Sequence, residues 1–61
     1  MKKTKIMIAD DEARLRTLIK DWLTDAGYEV VEAEDGKVAL EKFKQDPDIK
    51  LIILDIMMPY I

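Results

Sequence analysis

Residues 6–12 read Ile6-Met7-Ile8-Ala9-Asp10-Asp11-Glu12, an unbroken apolar run closed by three acids. So short a run is the pattern of a strand covered on both faces, as parallel strands are, and it predicts a first strand at 5–9. Leu51-Ile52-Ile53-Leu54-Asp55 repeats the pattern and predicts a strand at 50–54 that again stops at an acid. Carboxylates therefore stand twice at the same kind of place, the carboxyl end of an apolar strand.

The chain between these strands alternates in period. Leu15, Leu18, Ile19, Trp22, Leu23 and Ala26 follow the i, i+3, i+4, i+7 spacing of one helical face, which predicts an amphipathic helix over about 12–26. Asp11 is the expected N-cap, Glu12 suits the positive end of the dipole, and Gly27 stands where a left-handed residue would close the helix. On this reading Trp22 belongs to the core, with a partner contact as the alternative, and Arg14, Arg16 and Lys20 form a solvated face, again with a partner contact as the alternative. Residues 28–33 are rich in β-formers and read as a second strand, its Glu29 and Glu32 tolerable at a sheet edge. Asp35-Gly36 opens a second helix over about 36–45, with Ala39, Leu40 and Phe43 on one face, and Pro47 ends it. The order β-α-β-α-β with short connections implies parallel strands joined by right-handed crossovers and helices on both sides of the sheet, an α/β class.

Composition narrows the chemistry. At 61 residues, 49% apolar and 38% charged, with two Gly and two Pro, the chain is globular rather than disordered. A chain of this size buries only about 60% of the surface its unfolded form exposes, so its stability is marginal. A net charge of −3 with dispersed basic residues gives no patch for phosphates, and no nucleic acid is expected as partner. Neither cysteine nor histidine occurs, which removes disulfides, thiolate sites and a cysteine nucleophile and argues against zinc. The basic start, Met1-Lys2-Lys3-Thr4-Lys5, leads into an apolar run far too short for a signal peptide, and no stretch approaches a membrane span. No signal peptide and no cysteine together suit a cytoplasmic location.

The acids are what remains. In parallel α/β sheets ligands bind beyond the carboxyl ends of the strands, so Asp10, Asp11 and Asp55 converge if the first and third strands are neighbours. Clustered like charges are tolerable only with a cation among them, and oxygen ligands without His or Cys select magnesium or a similar hard ion. Each signal alone has a plainer reading: Asp10-Asp11 as a cap with a dipole-favoured acid, Asp55 as the start of an Asx-type turn.

Three stretches together carry a likeness. Ile6 to Glu12, then Gly27-Tyr28-Glu29-Val30 with Ala33-Glu34-Asp35-Gly36 and Ala39-Leu40, then Leu51 to Pro59, resemble the amino-terminal half of the receiver domain of bacterial two-component response regulators. The resemblance implies half of a flavodoxin-like doubly wound parallel sheet of strand order 2-1-3. It implies Asp55 as the phosphoacceptor served by a sensor histidine kinase. It also implies Mg2+ held by Asp10, Asp11, Asp55 and the Met57 backbone carbonyl, and a signalling module rather than an enzyme. In the family a Ser or Thr ending a fourth strand and a Lys ending a fifth bind the phosphoryl oxygens; both positions lie beyond Ile61, so residues 1–61 are expected to be a partial domain with impaired phosphorylation.

Other readings are weaker. A dinucleotide-binding unit would need glycines where Asp10-Asp11-Glu12 stand, and a dehalogenase-type phosphatase wants an acid at the position Met57 occupies. The rival from another class is a half-domain, truncated or engineered, whose property is self-association, its acidic site idle. Leu51 to Leu54 as an open edge would invite a second copy, either edge to edge or face to face.

Overall fold

The computed structural model describes residues 3–54. Along them run β1 (Lys5–Ala9), α1 (Ala13–Asp25), β2 (Glu29–Ala33), α2 (Gly36–Gln45) and β3 (Ile49–Leu54). The strands form one parallel sheet in the order β2-β1-β3, the 2-1-3 arrangement the resemblance implied. β1 takes the centre because it can be covered on both sides: Ile6, Met7, Ile8 and Ala9 are all buried. β2, which carries Glu29 and Glu32, takes an edge.

One face of the sheet holds the main apolar cluster, Met7, Ala9, Ala33, Ala39 and Ile49, backed by Val31, Val38 and Ile52. Three of its five members are alanines, so α2 can lie close on the strands. Ile49 reaches this cluster through an irregularity. The register runs from Lys5↔Ile49 to Ile6↔Leu51, leaving Lys50 as an extra residue, so Ile49 turns inward while Lys50 and Leu51 face out.

Both helices pack on β2 and β1, and neither covers β3 to a comparable extent. Two sequence expectations change as a result. α1 contains no buried residue, and Trp22, expected in the core, is 69% exposed. The 3.6 period marks an apolar stripe correctly but says nothing about how wide a surface it meets; here the stripe through Leu18 and Trp22 runs past the part of the sheet that α1 covers.

The helix ends differ in how they are made. α1 closes in a Schellman arrangement, with Gly27 N–H donating to the Thr24 carbonyl (3.0 Å) and Tyr28 N–H to the Leu23 carbonyl (3.0 Å). Gly27 has φ +97°, and a Cβ there would meet no atom within 4 Å, so glycine serves the backbone conformation rather than space. α2 opens on Asp35, an extended N-cap whose Oδ1 accepts from Val38 N–H at 2.8 Å. It closes at Asp46, held extended by the proline that follows.

Candidate functional site

The carboxyl end of β1 is fixed atom by atom. Past the last paired residue, Asp10 N–H donates to the Ala33 carbonyl at 3.1 Å. Its Oδ1 accepts from Glu12 N–H at 2.8 Å, an Asx-type turn that lifts the chain from the strand into α1. Its carbonyl accepts from Arg16 Nη1 at 2.5 Å. Asp10 is the one buried charged residue of the described chain, at 4% exposure, while Asp11 beside it is exposed. A buried carboxylate whose neighbour faces solvent is a donor pair suited to a hard cation, and both donors are oxygen.

The expected capping by Asp11 does not occur. Glu12, in extended conformation, is the N-cap of α1, and no side chain caps this helix. The Asp10 carboxylate takes the Glu12 amide instead, because the turn places its oxygen within reach of the second residue on. The beginning of α1 is thus organised around Asp10 rather than by a conventional cap.

Asp55 and Met57, the other two residues named as metal ligands, lie outside the described residues. Among the described residues no group of three or more acids is placed to hold a metal ion. The sheet register nevertheless bears on their sequence positions. Leu54 of β3 pairs with Ala9 of β1, and the residues that follow these two in the chain are Asp55 and Asp10.

Sequence reasoning missed one residue of this site. Arg16, assigned to a solvated face, instead spans from α1 to the Asp10 carbonyl and to Glu32 of β2, where its Nε donates to Oε1 at 3.4 Å. Lys20 approaches the other oxygen of Glu32 at 3.6 Å, and Lys42 donates from α2 to the Glu32 carbonyl at 2.5 Å. The available signal was Glu32 itself, which shares a strand face with Val30 under α1 and so calls for a cation from the helix crossing above.

The comparisons with known proteins bear on the family and the fold. The family model described as response regulator receiver domain matches residues 6–61. Response regulator RR06 of Streptococcus pneumoniae is 52% identical over 54 residues, covering 88% of this chain and 24% of that protein. Chemotaxis protein CheY of Thermotoga maritima is 47% identical over 57 residues, covering 90% of this chain and 46% of that protein. Among solved structures, a chain of the crystal structure of the P1 domain of CheA3 in complex with CheY6 from R. sphaeroides matches with a TM-score of 0.86 and 35% identity. That match covers 98% of this chain and 49% of the other. The chain thus spans from about a quarter to about half the length of these relatives.

Proposed function

The chain belongs to the response regulator receiver domain family, and from that membership we propose that it is a phosphoryl-accepting signalling module with Asp55 as the acceptor. The observation that supports the reading is the pairing of Leu54 with Ala9 in neighbouring parallel strands, the residues next in sequence after these two being Asp55 and Asp10. Asp10, Asp11, Asp55 and the Met57 carbonyl would hold Mg2+; the oxygen donors and the buried, turn-fixed Asp10 fit such an ion. A bound magnesium ion supplies charge offset between the acceptor carboxylate and the phosphoryl oxygens.

The residues of the chain do the rest. A carboxylate oxygen of Asp55 attacks phosphorus, a P–O bond forms, and the P–N bond of a phosphohistidine breaks with its electron pair and a proton going to the imidazole nitrogen. A sensor histidine kinase is the donor this chemistry calls for. The likeness to a complex of CheY6 with a CheA3 P1 domain supports such a partner. Affinity for Mg2+ in the metal-only state is expected to be weak, about millimolar, as for open oxygen sites. The test is intact mass after incubation with acetyl phosphate and Mg2+. A gain of one phosphate that Asp55→Asn abolishes is expected, and no gain in the parent chain would refute the reading.

A second reading, self-association, has its own observation. Among the described residues β3 is an edge strand with Leu51 54% and Leu54 46% exposed. Apolar grooves flank it on both sides, one with Leu40, Phe43 and Ile52, the other with Leu15, Ile19 and Ile53. A second copy related by a two-fold axis would pair its β3 antiparallel with this edge, extending the sheet to 2-1-3-3′-1′-2′. Sedimentation equilibrium is expected to give a dimer that Leu51→Lys dissociates, and a monomer at every concentration would exclude it.

A further inference from the structure

We propose that Arg16 is a positioning residue for the acidic turn: its guanidinium, itself held by Glu32, fixes the Asp10 carbonyl and so sets where the Asp10 and Asp11 carboxylates stand, a role that rests on reading these carboxylates as cation ligands. Helical side chains lean toward the amino terminus, so a long side chain in the opening turns of α1 reaches back over the segment leading into the helix. The carbonyl that Arg16 meets is the first beyond the paired region, since β1 ends at Ala9 and β2 at Ala33. Where a longer β2 would have offered a ladder amide, the side chain of α1 supplies the donor.

Asp10 is then held at three atoms by three segments: its N–H by β2, its Oδ1 by the Glu12 amide, and its carbonyl by Arg16. The planar guanidinium fixes the angle between its two bonds, so Glu32 and the Asp10 carbonyl are set relative to each other. Glu32 is steadied in turn by Lys20, one turn along α1, and by Lys42 on its carbonyl. Partly exposed ion pairs of this kind add little stability, which leaves geometry as what the arrangement supplies.

The sign of one measurement separates this role from a plain electrostatic one. A cation beside a cation site repels the metal, so removing the charge of Arg16 should tighten Mg2+ binding if charge is all it contributes. Loss of positioning should weaken binding instead. The experiment uses the full chain with Arg16→Gln, Arg16→Lys and Glu32→Gln, titrated with Mg2+ and followed by the amide resonances of Asp10 to Glu12. Hydrogen exchange at the Glu12 amide is measured separately without metal.

Arg16→Gln and Arg16→Lys are expected to weaken Mg2+ binding about tenfold, the lower end for residues that orient metal ligands, with Glu32→Gln weaker in the same direction. The Glu12 amide should lose protection while the β1 amides keep theirs. Arg16→Lys retains the charge and most of the stem, and it carries the test alone if Arg16→Gln fails to fold. Mg2+ binding unchanged or tightened in a folded Arg16 variant, or Glu12 exchange unchanged, would overturn the assignment. If the parent chain shows no Mg2+-dependent shifts at the turn, the cation reading fails, and Glu12 exchange still decides whether Arg16 positions the turn.

Discussion

The two ends of the sheet use their charges differently. At the amino end, Lys5 Nζ lies 2.6 Å from Asp46 Oδ2 and 3.4 Å from Glu29 Oε2, so one cation from the central strand ties together the end of α2 and the start of β2. At the carboxyl end Glu32 is likewise paired with cations, Arg16 at 3.4 Å and Lys20 at 3.6 Å, but side chains also engage the backbone: Arg16 the Asp10 carbonyl, Lys42 that of Glu32, Asp10 the Glu12 N–H, Asp35 the Val38 N–H. An ion pair offsets charge, whereas a bond from an amide orients a carboxylate and leaves its charge in place. The paired acids Asp46, Glu29 and Glu32 thereby have their charge offset, whereas Asp10 and Asp35 are oriented by amides with their charge left in place.

The largest effect should come from the exposed acid at the carboxyl end. Asp11→Asn is expected to lower Mg2+ affinity at least about tenfold, because affinity in oxygen sites follows the number of charged ligands. Metal-free stability should shift by less than about 0.5 kcal/mol, as for surface substitutions away from special features. Calorimetric unfolding together with a Mg2+ titration checks both, and an unchanged titration would leave the two ends of the sheet functionally alike.

Asp35→Ala should divide the acids of that same end by role. Removing this cap is expected to cost about 1 kcal/mol, with Mg2+ binding unchanged, since its carboxylate is committed to the Val38 amide. Denaturant midpoints measure the loss, and Asp35→Asn should retain most of the stability because an amide oxygen still caps. A fall in Mg2+ affinity with Asp35→Ala would instead enlarge the site to include the start of α2.

The same contrast explains what was legible in the sequence. Alternation of apolar runs with 3.6-residue periodicity identified the elements and their class, because each depends on neighbours along the chain. The order 2-1-3, by contrast, came from the resemblance. Gly27 was legible for the local reason that a left-handed residue closes α1. Trp22 and Arg16 were misread because their surroundings come from other elements: the width of sheet beneath α1 for one, Glu32 of β2 and the Asp10 carbonyl for the other. The cap of α1 failed for a related reason. An acid before a helix is ambiguous between capping and site building, and Asp10 bonds the Glu12 amide from two residues back while Asp11 stays exposed. Trp22 and Arg16 thus answer to long-range geometry that periodicity does not carry, and Asp10 to a local turn that competes with a cap.

The smallest expected effect belongs to the amino end and turns on the protonation of Lys5. Its side-chain hydrogen bond with Asp46 raises its pKa above the ordinary value of 10.5, partial burial works against the shift, and the charges of Asp46 and Glu29 add to it. A lysine whose pKa is higher in the folded than in the unfolded state contributes stability that is fully present below pH 10.5 and is lost as pH rises through the folded value. Lys5→Met lacks that contribution at every pH. The gap between the melting temperatures of parent and Lys5→Met should therefore stay constant from neutral pH to about 10 and narrow above it. Added salt should shrink the gap at neutral pH as well, because the pair is partly open to solvent. Two profiles that remain parallel through the alkaline range would mean that Lys5 is not tied to Asp46 and Glu29, and the contrast between the two ends of the sheet would lose its amino-end member.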